Sequence, residues 1–217
     1  MFFRDRIDAA TRLADALSRL RGAHPLVVAI PRGAVPMGQV IADRLGGELD
    51  VVLVRKLRAP GNPEFGVGVV DESGWTYVSD YAGAAGASAA YLEREIAEQM
   101  ATIRQRRAQY TPARAPLDPA GRTVIVVDDG LATGATMIGA LHALRARQPA
   151  RLVCAVPVAS PEAFAKVEAL ADEVVCLDVA PDFYAVGQFY AHFPQVDDRE
   201  VIELLAAAPA NERTAAR

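Results

Sequence analysis

Two adjacent acids, Asp128 and Asp129, follow the apolar run Val124-Ile125-Val126-Val127 and precede Gly130-Leu131-Ala132-Thr133-Gly134-Ala135-Thr136. The residue types divide the segment into three parts. The apolar run reads as a buried strand that delivers both acids at its carboxyl end. Gly130 and Gly134 suit a tight turn. Thr133 and Thr136 are cap-type hydroxyls at the start of a helix. A helix N-terminus offers unpaired N–H groups and the positive end of its dipole, so it suits a phosphate. Two carboxylates beside a phosphate repel it unless something intervenes, and diol hydroxyls and a divalent cation are natural partners. A sugar phosphate with Mg²⁺ answers to both halves. A lone Asp-Asp would read as an ordinary turn with solvated acids, because short motifs specify little. The whole run from Val124 to Thr136 is far more specific.

Other phosphate-handling or hydrolytic motifs are missing from the sequence. No G-x-x-x-x-G-K-[ST] occurs, and Gly66-Val67-Gly68 is followed by Asp71 where a dinucleotide fingerprint needs its third glycine. No G-x-S-x-G elbow occurs. His24, His142 and His192 pair with no other His or Cys at metal-binding spacing, and Cys154 and Cys176 fall in apolar runs, as core thiols do.

The elements that must position these residues follow from the hydrophobic pattern. Asp5 to Arg21 reads as an amphipathic helix, since Ile7, Ala10, Leu13, Ala14, Leu17 and Leu20 recur at steps of three and four. Leu26–Ile30 is a buried strand, Pro31-Arg32-Gly33 a turn, Val35–Leu45 a helix and Leu49–Val54 a second strand. Pro60, Gly61, Asn62, Pro63, Gly66, Gly68 and Gly74 then crowd together, so this stretch reads as a loop or loose hairpin, with Phe65–Val70 and Trp75–Val78 as short strands. Ser88–Tyr110 is a long helix with Ile96, Met100 and Ile103 on one side, and Thr111–Pro119 a surface linker. Thr123–Val127, Arg151–Val158 and Glu173–Leu177 are strands, with helices over Thr136–Arg147 and Pro161–Leu170 between them. Pro181–Pro194 is rich in aromatics, and the last ten residues read as frayed. Five buried strands alternating with helices make an α/β fold with a mainly parallel sheet flanked by helices. In such sheets ligands bind beyond the carboxyl ends of the strands, which directs attention to the turns at 31–34, 55–60 and 128–136.

Composition bounds the rest. With 217 residues, 52% hydrophobic and 23% charged, the chain reads as one globular domain over 1–217. A net charge of −4 argues against a nucleic-acid-coating protein. No apolar run is long enough to span a bilayer, and residues 1–21 lack the apolar core of a signal peptide, so a cytoplasmic protein is expected. The 23 basic residues include only two lysines, Lys56 and Lys166.

The run 124–136 resembles the phosphoribosyl diphosphate (PRPP) signature of the type I phosphoribosyltransferases: four apolar residues, two acids, two variable residues, a small residue, Thr-Gly, a small residue, then Thr. Three further stretches, Val54–Gly68, Ala155–Pro161 and Pro181–Gly187, are similar to a bacterial branch called putative phosphoribosyltransferases, whose substrate does not come with the name. The resemblance runs from about residue 2 to 205.

It implies a PRPP- and Mg²⁺-dependent transfer of 5-phosphoribosyl to a nucleobase or similar nitrogen nucleophile. The PRPP-binding residues would be Arg32, Gly33, Arg55, Lys56, Asp128, Asp129, Gly130, Leu131, Ala132, Thr133, Gly134, Ala135 and Thr136. Of these Arg32, Lys56, Asp128 and Asp129 would be catalytic, and the two acids would hold Mg²⁺ directly or through water. Residues 57–78 would be a flexible lid holding Arg58 and Glu64, and 179–205 a small hood with Phe183 and Tyr184 against the base. In 6-oxopurine members an Asp precedes the Thr-Gly; here Ala132 stands there, which weakens that specificity. The resemblance implies small-molecule substrates and a family in which dimers are common, so a homodimer is one expectation, while the acidic charge and the lack of a long apolar run make no nucleic acid and no membrane the expected partners. The competing readings are a PRPP-binding regulator and a ribose-phosphate hydrolase or phosphorylase-like enzyme.

Overall fold

The structure, a computed structural model, describes residues 2–112 and 115–207. The expected frayed tail at 208–217 and the side chain of Glu64 lie outside the described residues.

Five strands form one parallel sheet: β1 (Leu26–Ala29), β2 (Glu48–Val51), β6 (Thr123–Val127), β7 (Arg151–Ala159) and β8 (Glu173–Val179), in the order β2-β1-β6-β7-β8. Alternate residues of these strands feed two cores, as a pleat covered on both faces requires. Val27, Ala29, Leu49, Ile125, Val127 and Val153 pack with Leu13 and Ile41 of α1 (Arg6–Ala16) and α2 (Val35–Leu45), and with Leu17 just after α1. Leu26, Val28, Val124, Val126, Leu152 and Cys154 pack with Met137, Leu141 and Ala163 of α4 (Ala135–Ala146) and α5 (Pro161–Glu168). The mainly parallel sheet flanked by helices is thus present, and its strands follow the apolar runs except at the second, which ends at Val51 rather than Val54, while residues 55–59, expected as part of a turn, are strand.

The segment from 54 to 78 is more regular than its composition suggested. β3 (Val54–Ala59), β4 (Asn62–Asp71) and β5 (Thr76–Val78) make a separate antiparallel sheet in the order β3-β4-β5. The hairpin half of the expectation holds, and the open-loop half gives way to a third strand and longer pairing. Gly66 and Gly68 lie inside β4 rather than in a loop. A Cβ on Gly66 would meet the Lys56 side chain at 2.5 Å, and one on Gly68 would meet the Tyr77 carbonyl oxygen at 2.3 Å. Here glycine marks close strand contact rather than chain reversal.

The small sheet lies between two helices. Val54 and Val69 face Gly139 of α4, and Leu57 is buried in the core that also holds Ile103 of α3 (Ala89–Tyr110). Arg58 joins this sheet to α3, donating from its backbone N–H, Nε and Nη2 to Glu95 at 2.7–3.0 Å. A sixth helix, α6 (Asp198–Ala207), was not expected within the C-terminal segment. Its signals are Asp197, whose carboxylate accepts from the Glu200 N–H at 2.8 Å, and the four-residue step between the buried Val201 and Leu205. No helix among the described residues is long and apolar enough to cross a membrane.

Candidate active site

β1 and β6 pair in parallel with Ala29 opposite Val127, so the turns that follow them meet at one end of the sheet. The contact is close. A Cβ on Gly33 would fall 2.2 Å from Asp129 Oδ2, so only glycine fits there with this carboxylate in place. The peptide bond between Pro31 and Arg32 is cis.

Beyond the acids, the chain is pinned to the end of β7. The Leu131 N–H donates to the Val158 carbonyl at 2.9 Å, the Ser160 N–H donates to the Leu131 carbonyl at 2.9 Å, and the Ser160 hydroxyl donates to the Ala132 carbonyl at 2.8 Å. Gly134 then takes φ 75° and becomes the N-cap of α4. This corrects the expected capping by Thr133 and Thr136. The cap position is a glycine, and no side chain caps the helix. Thr133 Oγ1 stands 3.5 Å from the Ala135 N–H, at the outer limit of a hydrogen bond. The first-turn N–H groups of α4 are therefore available to an anion.

The acids are held from several sides. The Asp129 N–H donates to Asp128 Oδ1 at 2.9 Å. Burial, followed by the neighbouring charge of Asp129, pushes the Asp128 carboxyl well above the usual carboxylate range. Burial also pushes Asp129 up, against the pull of Arg6. Arg6 Nε and Nη2 donate to Asp129 Oδ2 at 3.0 and 2.9 Å, while Nη1 donates to the Pro194 carbonyl at 2.6 Å. The guanidinium carbon lies 3.7 Å from the centroid of the Phe193 ring. The Tyr190 hydroxyl donates to the Asp129 carbonyl oxygen at 2.7 Å. Arg6, Tyr190, Phe193 and Pro194 were not expected here. Arg6 gave no sequence signal among so many arginines, whereas Tyr190 and Phe193 belong to the aromatic run already singled out.

That run crosses the turn. A Cβ on Gly130 would lie 2.8 Å from Val186 Cγ1. Phe183 packs its ring on Phe189 at 5.2 Å, and Tyr184 is 88% exposed. Phe3 bridges to Tyr190, closing the N-terminal segment over the same region.

The basic candidates separate. Arg32 belongs to the Gly33 turn and pairs with Asp198 Oδ2 at 3.6 Å, while the Tyr110 hydroxyl donates to Asp198 Oδ1 at 2.5 Å. Burial and the Asp198 hydrogen bond push the Tyr110 phenol up to about 12. Lys56 pairs in register with Val69, so it leaves β3 on the α4 side and is exposed. Arg55 leaves on the α3 side, where its Nε donates to Gln99 Oε1 at 3.0 Å. Strand alternation thus divides a pair that the residue order places together. Arg58 is committed to Glu95 and Glu98.

A cavity of about 630 Å³ lies at the other end of α4, lined by Leu26, Val52, Ile103, Arg107 and Leu144 among others. Its buried charges are already matched, Arg107 bridging Asp50 and Glu72. The acid-pair turn remains the better candidate for chemistry, since its carboxylates and helix N-terminus lack full partners.

The family model for the phosphoribosyl transferase domain matches residues 4–193. Two Mycobacterium tuberculosis proteins, from strains CDC 1551 and H37Rv and each named putative phosphoribosyl transferase, are 37% identical over 207 residues. The match takes in 95% of this chain and 47% of theirs, so the chain spans about half the length of the curated relatives it matches. The crystal structure of TT1426 from Thermus thermophilus is 49% identical with a TM-score of 0.82, covering 94% of this chain and 98% of that one.

Proposed function

The chain belongs to the phosphoribosyl transferase family, and on that premise we propose that it transfers the 5-phosphoribosyl group of PRPP to a nitrogen nucleophile, with release of pyrophosphate. One observation carries the reading: an uncapped helix N-terminus stands directly beyond two adjacent, half-buried carboxylates. The first accepts a phosphate dianion and the second a vicinal diol, and a ribose 5-phosphate presents both on one molecule.

In this reading the N–H groups of 132–136 and the Thr133 and Thr136 hydroxyls hold the 5′-phosphate, the Leu131 N–H being held by the Val158 carbonyl. Asp128 and Asp129 accept hydrogen bonds from the ribose hydroxyls. Arg32 and Lys56 face the pyrophosphate, and Gly33 lets its backbone approach closely. The C1–oxygen bond to pyrophosphate breaks as the C1–nitrogen bond forms, and the cationic side chains stabilise the departing charge. Arg55 is left to support β3 from the α3 side.

The donor set fits Mg²⁺. Asp128 and Asp129 are adjacent, half-buried carboxyls whose ionised forms burial disfavours, and a divalent cation beside them would offset that cost. Mg²⁺ takes one or two carboxylates and completes its shell with water and substrate phosphate. Asp128 and Asp129 would hold it, and bound there it would neutralise the leaving pyrophosphate.

The small sheet β3-β4-β5 takes the role of the lid and carries Lys56. Water exclusion matters because the ribosyl centre becomes electron-poor as the bond breaks. The base enters under residues 181–193, with Val186 over Gly130 supporting that placement. Ala132 offers no carboxylate to a 6-oxopurine.

The test is pyrophosphate release from PRPP with Mg²⁺ across a panel of purine and pyrimidine bases, with a no-base control. Release with one base establishes the transfer and names the acceptor. Release without base assigns hydrolysis, and no release overturns the transferase reading.

A further inference from the structure

Arg6 stands out because no part of the proposed chemistry asks for it. It lies on the first turn of α1, 123 residues from its partner Asp129. Its side chain is only 11% exposed, and each of its three nitrogens is committed: two to Asp129 Oδ2 and one to the Pro194 carbonyl. The Phe193 ring lies under the guanidinium plane, adding cation–π attraction. The same group reaches the Gly33 turn, where a Cβ would lie 3.2 Å from Arg6 Nη2.

We propose that Arg6 is a positioning residue of the sugar-phosphate site: it locks Asp129 through Oδ2 so that Oδ1 is presented to the ribose diol. This rests on the PRPP reading above. Arg6 meets Asp129 at Oδ2 alone, and the Asp129 side chain keeps 17% exposure. Arg6 thus uses up one oxygen and leaves the other open. It also cancels one of two adjacent negative charges in a site that must admit a polyanion.

The anchoring decides between a fixture and a gate. A guanidinium that swung away to admit substrate would forfeit the Asp129 pair, the Pro194 hydrogen bond and the Phe193 face together. Charge-assisted bonds of this kind are the stronger ones in proteins, so the ligand is met by an arginine that stays in place. The planar fork also fixes the carboxylate's rotation, which a lysine ammonium would not.

Titration calorimetry with ribose 5-phosphate and with inorganic phosphate, both without metal, separates the possibilities on wild type, R6M and R6K. The expected result for R6M is ribose 5-phosphate affinity about 10- to 100-fold lower, the range typical for loss of a ligand-orienting partner, with phosphate affinity unchanged. R6K should recover part of the loss through charge alone. Unchanged ribose 5-phosphate affinity in R6M overturns the role. Equal loss of both ligands also overturns it, because Arg6 would then be holding the whole turn. Wild-type protein that binds the ribose ester no better than phosphate defeats the sugar-phosphate reading itself, whatever R6M does. If R6M fails to fold, F193L keeps the arginine and removes the ring beneath it. An intermediate loss confined to ribose 5-phosphate then supports the role, and none overturns it.

Discussion

Gly33 and Asp129 touch across two neighbouring strand ends, so closely that the space of one methyl group is already taken by Oδ2 of the carboxylate. Gly33→Ala must therefore push Asp129 off its Arg6 partner or move the turn. We expect ribose 5-phosphate affinity to fall by about tenfold or more, with the far-ultraviolet spectrum unchanged. Calorimetry on the folded variant decides it; wild-type affinity would mean that the acid pair tolerates a shift.

Lys56 and Arg55 give opposite expectations despite being neighbours in the chain. Lys56→Ala should lower turnover by about a hundredfold, in line with removal of one charge-stabilising donor, with less effect on PRPP affinity. Arg55→Ala should retain turnover within a few-fold and lower the melting temperature through the lost Gln99 contact. Steady-state kinetics on both variants checks the division, and equal losses would place Arg55 in the site after all.

Asp128→Asn should separate stability from function. Burial and the charge of Asp129 both oppose ionisation of Asp128, so a neutral amide relieves the fold. We expect the melting temperature to rise by about 2–4 °C, corresponding to roughly 1 kcal/mol in a chain of this size. Mg²⁺-dependent PRPP uptake should fall at the same time. Unchanged uptake would show that Asp128 takes no part in the site.

Glu95 governs the attachment of the small sheet to α3. Burial pushes its carboxyl up, but the Arg58 hydrogen bonds and charge outweigh this and leave it below the ordinary glutamate value. The sign follows from linkage. A carboxyl depressed in the folded state contributes stability above its unfolded pKa, and that stability is lost as pH falls through the folded value. The wild type should therefore lose melting temperature below about pH 4, the unfolded glutamate range. Glu95→Gln should melt lower at neutral pH and show a flatter acid limb, as differential scanning calorimetry across about pH 3–7 would reveal.

Much of this was legible in the residue order. Apolar runs as short as Leu26–Ile30 announce strands covered on both faces, and the acid pair with its glycines announces the turn that follows. Three kinds of information were not legible. Arg6 meets Asp129 only through the packing of α1 on the sheet, and no local pattern distinguishes it from the other arginines. The glycines of β4 have the residue type of loops but are placed by interstrand contact. Arg55 and Lys56 read as one basic pair because their opposite orientations depend on which helix covers each face of β3. The capping hydroxyls failed for a related reason: the cap residue is Gly134 itself, and the threonines stand one residue before it and two after.

The closure of Phe3 onto Tyr190 has a consequence for biosynthesis. A nascent chain that has emerged as far as α5 already carries both carboxylates and the glycine turn. It has yet to produce Tyr190, Phe193 and Pro194, which hold Asp129 and the arginine beside it. The parallel sheet can thus assemble in the order in which its strands leave the ribosome, whereas the environment of the acid pair matures only when a late segment returns to the beginning of the chain. A translation product that stops near residue 180 would bury most of its strands and still lack the clamp around its two acids.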